Sequence, residues 1–310
     1  WFTMMKLPPK SDFGGSGDIP KNITFDKWRQ RMNNVDCIGC HQIGQEATRT
    51  IPAEFGKFDS GADAWVRRIQ SGQWGEGMTS RIAGEMGGVP YKYLGDWTDR
   101  IAKGELPKHQ PPRPTGLERN LVVTTWDWST PDKYLHDLVS TDNRHPTVNG
   151  GGLLYGAPEY STDNMPILDP KTNKVSFFKM PVRDPSMPES LGPGHAAAVK
   201  PTAPSAYWGD RQLWDTRANQ HNAMFDDKGR VWLAATVRGQ NNPAWCKKGS
   251  DNQYAKVFPL DKSPRQIAML DPKTQKYEFI DTCFCTHHPR FGYDADNTLW
   301  TSGTGQVAGL

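Results

Sequence analysis

Apolar positions between Thr24 and Gly104 recur at helical spacing. Phe25, Trp28 and Met32 stand at i, i+3 and i+7, Trp65, Val66 and Ile69 repeat the interval, and Leu94, Trp97 and Ile101 repeat it again. The pattern predicts a small all-α domain over residues 23–106. Ahead of it, Pro8-Pro9, Gly14-Gly15-Ser16-Gly17 and Pro20 disfavour regular structure, so residues 1–22 are expected to be a linker or the tail of an upstream domain. Behind it, Pro107, Pro111, Pro112 and Pro114 make residues 107–117 a Pro-rich linker. The ten residues from Lys103 to Pro112 span at most roughly 36 Å when extended.

From residue 118 onward the pattern changes to strands, beginning with the β-branched and aromatic run Leu121 to Trp126. Two pairs of segments read as copies. Phe225 to Trp232 matches Tyr293 to Trp300, each with an Asp/Gly/Asn turn ahead of an apolar strand. Leu168 to Lys174 matches Leu270 to Lys276, each turning on Asp-Pro-Lys-Thr. Hairpin units of this kind cannot bury their faces alone, and stacking them radially gives propeller blades. The expected fold class is therefore multidomain: a small all-α domain, then an all-β propeller over residues 118–310, incomplete in this chain. Residues 184–220 and 238–264, rich in Pro, Gly, Asn and Lys, are expected to be insertions.

Lys and Arg number 37 against 34 Asp and Glu, a balance of +3 that gives no electrostatic case for nucleic acid. Thirty Gly and 25 Pro call for a turn-rich fold, while 12 Trp and 12 Phe supply a large aromatic core. No stretch reaches the roughly 20 apolar residues of a transmembrane helix.

Cys37-Ile38-Gly39-Cys40-His41 carries the sharpest chemistry. Two thiols at this spacing can add to the two vinyl groups of a haem while the adjacent imidazole reaches the iron, so the motif predicts one covalent haem c with His41 as axial ligand. A zinc knuckle would need a second Cys/His pair nearby, and a thioredoxin-like pair would need a βαβ setting. Met78, in the glycine-rich run Gly72 to Met78, is the expected second axial ligand, with Met86, a histidine or an open site as alternatives. Haem attachment of this type occurs outside the cytoplasm, so a periplasmic or extracellular location is expected, with a signal sequence once preceding Trp1.

With the motif, the Met-bearing loop and the helix Tyr93 to Ile101, residues 24–106 resemble a class I cytochrome c domain. Residues 118–310 resemble a virginiamycin B lyase-like or NHL-type β-propeller, through segments such as His221 to Asp226 leading into Val231-Trp232. The pairing resembles exported bacterial haem proteins of unassigned function. Lyase chemistry does not follow, because a fold does not fix a function.

Seven further histidines are His109, His136, His145, His195, His221, His287 and His288. His221 and His288 each lie shortly before a matched strand, so they are expected to converge and offer a second metal site, the alternative being hydrogen bonds between neighbouring strands. His195 sits in a loop. Of Cys246, Cys283 and Cys285, a Cys246–Cys283 disulfide is expected in an oxidising compartment, with Cys285 able to compete. The function expected from these features is an oxidoreductase exchanging electrons between haem and a substrate or redox centre, fed by a redox partner protein or a small-molecule donor. The alternative is a conduit or docking subunit of a larger, membrane-associated redox complex.

Overall fold

The computed structural model describes residues 1–33, 37–40, 43–51, 53–70, 78–109, 112–122, 126, 135–159, 162–187, 216–303 and 306–309. They form two compact units, one from the described residues up to 126 and one from those after 134.

In the first unit, helices α1 (Phe25–Asn33), α2 (Cys37–Cys40), α3 (Glu46–Arg49), α4 (Gly61–Gln70) and α5 (Val89–Ala102) follow one another in the chain. Thr24 caps α1, its Oγ1 accepting the Lys27 amide at 3.1 Å, and Ser60 caps α4 by accepting the Asp63 amide at 3.1 Å. Trp28, Met32, Trp65, Ile69, Leu94 and Trp97 meet in one core, as their spacing predicts, and Trp65 Nε1 donates to Thr98 Oγ1 at 3.1 Å inside it. Gly95 is required where α4 and α5 touch, because a Cβ there would overlap the backbone at Gly61 and Ala62. Residues 1–22, read as a linker, instead contribute Met5 and Ile19 to this core, and Trp97 Nε1 donates to the Trp1 carbonyl at 3.0 Å. Their Pro and Gly content limits regular structure to two single 3₁₀ turns, Phe2–Met4 and Lys10–Asp12, but does not prevent burial.

Among the described residues the second unit holds three antiparallel sheets. The first runs β1 (Asp137–Leu138), β2 (Leu154–Ala157), β3 (Asn164–Asp169), β4 (Lys174–Lys179). The second runs β5 (His221–Phe225), β6 (Val231–Ala235), β7 (Gln266–Asp271), β8 (Lys276–Ile280). The third has β10 (Leu299–Gly303) between β9 (Pro289–Phe291) and β11 (Gln306–Gly309). Both repeat pairs are hairpin turns. Asp226 Oδ1 accepts the Lys228 and Arg230 amides at 2.9 Å, and Asp294 Oδ1 accepts the Thr298 amide at 2.8 Å. Asp169 and Asp271 likewise accept the amides of Lys171 and Lys273 at 2.9 Å, and each turn closes on a left-handed residue, Asn173 (φ 55°) or Gln275 (φ 56°).

The expected fold class is corrected at its larger scale. Among the described residues the sheets are small and separate, with no closed barrel or propeller, and only three helices, α1, α4 and α5, exceed seven residues. Turn chemistry is local and fixes which strands pair. Closure depends on how many sheets exist and how they pack, which no local signal encodes. Of the predicted first strand, Leu121 and Val122 are exposed and lie in no strand, residues 123–125 lie outside the described residues, and the first strand among the described residues is β1. The second expected insertion is largely irregular, holding a bridge between Asn241 and Lys262, a 3₁₀ turn at Ala244–Cys246 and one short helix, α6 (Gln253–Val257), capped by Asn252.

Candidate metal centre

The first strands of the three sheets lie together. Phe225 N donates to Ser140 O at 2.8 Å and Ser140 N to Ala223 O at 3.0 Å, joining the end of β1 to β5, while Met224 packs with Phe291 of β9. A histidine stands at or just before the start of each: His136 before β1, His221 opening β5, and His287-His288 before β9. Topology therefore gathers four imidazoles from three stretches that are distant in sequence.

His221 is the fixed member, 1% exposed. His287 stacks on it at 4.2 Å between centroids and His288 at 5.0 Å, while His136 lies at 4.9 Å on a tilt. His288 is exposed and His287 half-buried. The candidate ligand atoms of His221, His287 and His288 all lie within 4.8 Å of one another, as do those of His136, Asp137 and His221. The rings stack rather than converge, so gathering their in-plane lone pairs on one ion requires His287 and His288, the two more exposed rings, to turn toward His221.

Behind the histidines lies a charged layer. Asp137 Oδ2 stands 2.9 Å from His136 Nδ1, 2.8 Å from His221 Nδ1 and 3.0 Å from the Asn222 amide. Glu159 Oε2 stands 3.1 Å from His136 Nε2, and Glu159 Oε1 accepts from the fully buried Arg265 at 2.6 Å. Arg265 also donates to Asn219 Oδ1 at 2.7 Å. Burial alone would raise the Asp137 carboxyl, but the hydrogen bond from His136 and the close approach of the His221 imidazole outweigh it and hold Asp137 well below the usual carboxylate range. Burial would lower His136, yet Asp137 and Glu159 prevail and raise it. His288 is lowered by burial and then by the neighbouring His221.

Two further features mark the place. His221 Nδ1 has the distance of an ion pair to Asp137 but not the alignment of a full hydrogen bond, and Nε2 has no partner among the described residues. Leaving such a group unsatisfied in the interior costs about 1–3 kcal/mol. Asn219 (φ 43°) and Asn222 (φ 47°) adopt the left-handed region that asparagine tolerates, and Glu159 (φ 43°) adopts it too, where a glutamate is uncommon.

The structure thus brings His221 and His288 together and adds His287, His136 and Asp137. His136 directly precedes a first strand, the same placement that singles out His221, but its hairpin lacks the Asp-turn copy that flags the other two. His109 and His145 are exposed elsewhere, and His195 lies outside the described residues. Cys246 and Cys283 form the expected disulfide; Cys285 is buried, its Sγ 3.6 Å from Thr286 O.

For the haem motif, α2 places Cys37 and Cys40 on one helical turn, and Cys37 is half-buried with its Sγ 3.9 Å from Met32 Sδ. The Cys40 side chain and His41 lie outside the described residues. Met78 is half-buried against the core of the unit, whereas Met86, 1% exposed, is part of that core. No described helix is long and apolar enough to cross a membrane. Comparison with known protein families, with curated proteins and with solved structures finds no match to this chain.

Proposed function

We propose that this chain is an exported c-type haem protein with a second, d-block metal centre on His221, His287 and His288, acting as an oxidoreductase that exchanges electrons between the two or with a substrate at the second. The observation that carries the second centre is His221: a buried imidazole whose Nε2 has no hydrogen-bond partner among the described residues, with two more imidazoles stacked beside it. A cation at Nε2 supplies the missing partner, and an all-imidazole set suits zinc, copper, iron or nickel rather than magnesium or calcium.

Two features of the first unit support a haem. Cys37 and Cys40 sit one helical turn apart, His41 would provide the axial nitrogen, and half-buried Met78 suits an exchange of packing for ligation better than Met86, which the core already encloses. Bound there, haem supplies one-electron chemistry. The resemblance to class I cytochrome c domains supports this reading through that motif and the three helices around it. Export is supported by the Cys246–Cys283 disulfide, a bond that persists in oxidising compartments. A redox partner protein or small-molecule donor would complete the electron path.

Denaturing electrophoresis with haem staining tests the first half. Thioether bonds survive denaturation, so the wild-type band stains and a Cys37→Ala/Cys40→Ala variant does not. A colourless wild-type polypeptide overturns the haem assignment.

A further inference from the structure

Three imidazoles leave a four-coordinate ion one ligand short, and sites of that kind hold a water or substrate in the remaining place. Most of the neighbouring donor atoms are already committed. Both nitrogens of His136 face carboxylates, at 2.9 Å from Asp137 and 3.1 Å from Glu159. Asp137 Oδ2 takes the Asn222 amide and lies against His136 and His221, while the Glu159 oxygens are taken by Arg265 and His136. Asp137 also sets which nitrogen His221 offers: Nδ1 sits against the carboxylate at 2.8 Å, so Nε2 is left for the ion. Burial falls from His221 through His287 to His288, so the approach to the ion is from the His288 side.

We infer that the metal centre keeps an exchangeable coordination position, reached past His288, that takes water or a small exogenous anion, with Asp137 as an outer positioning residue and His136 not a ligand. This rests on the metal reading above and goes beyond it, since a closed, fully protein-ligated ion would be structural whereas an open one can bind and turn over a small molecule.

The probe is cupric ion followed by azide. Full-length protein loaded with one equivalent of copper should develop a single saturable azide-to-copper charge-transfer band. Asp137→Asn should weaken copper binding about 10- to 100-fold, the range typical of losing an outer-shell partner, while His136→Asn, which removes a partner of Asp137 but no ligand, should weaken it less than Asp137→Asn and leave the azide titration intact. Copper-loaded wild-type protein that does not respond to azide overturns the inference, as does a His136→Asn variant that gains an azide response the wild type lacks, which would make His136 the fourth ligand. Wild-type protein that binds no cupric ion, zinc or other d-block ion removes the metal reading itself, a result distinct from a loaded but closed site.

Discussion

Arg265 is the most exacting test of the charged layer behind the histidines. Its side chain is fully buried and donates to Glu159 at 2.6 Å and Asn219 at 2.7 Å. Arg265→Met keeps the apolar stem but leaves Glu159, 4% exposed, with only two imidazoles for neighbours, His221 at 3.4 Å and His136 at 3.1 Å, and no permanent cation. Removing one member of a buried ion pair costs about 3–5 kcal/mol, because the remaining charge stays desolvated and unpaired. In a unit of this size each kcal/mol lowers the melting temperature by about 2–4 °C, so the loss should be roughly 6–20 °C. Urea and thermal unfolding monitored by circular dichroism give both quantities. The argument assigns the cost to the stranded charge, so Arg265→Met/Glu159→Gln should recover most of it. A single variant losing less than about 1 kcal/mol, or a double variant no more stable than the single, refutes the reasoning.

Asp142, 2% exposed, is held below its ordinary value of 3.8 chiefly by hydrogen bonds from Arg144, which also reaches Asn297 in the β9–β10 turn. A depressed carboxyl stabilises the fold above about pH 4 and loses that contribution as pH falls through its folded value, so the stability gap between wild type and Asp142→Asn should be full at pH 7 and shrink below pH 4; a gap independent of pH contradicts the assignment. The Cys246–Cys283 bond closes a 37-residue separation, for which chain entropy gives about 4 kcal/mol, and Cys246→Ala/Cys283→Ala should lose about 2–4 kcal/mol in urea unfolding. Met78→Ala should abolish the thioether-to-iron band of the oxidised spectrum and lower the haem potential, whereas a spectrum that changes only with Met86→Ala would reassign the ligand.

The helices and hairpins were legible because their signals are local. Trp28 with Met32, and Leu94 with Trp97, mark one face of a helix at its own period, and Asp226, Asp294, Asp169 and Asp271 each organise a turn through amides two to four residues away. The same locality explains what was missed. Nothing near Met5 or Ile19 announces that a Pro- and Gly-rich segment packs into a core, and no hairpin states how many sheets stand beside it. Half the site followed from the repeat, since His221 and His288 precede matched strands. His136 escaped because the chain after β1 passes through Asp142–Gly152 without an Asp-Lys-Gly copy to align it. Glu159 escaped because its role depends on a left-handed backbone at a position where no sequence rule asks for one.

The two-centre account is tested most directly by the metal content of the native protein, measured per chain beside a His221→Ala/His288→Ala variant. The account predicts one iron and one further d-block equivalent in the wild type, with the variant keeping its iron and losing the other. Iron alone in both proteins, or a second ion that survives the double substitution, would contradict it.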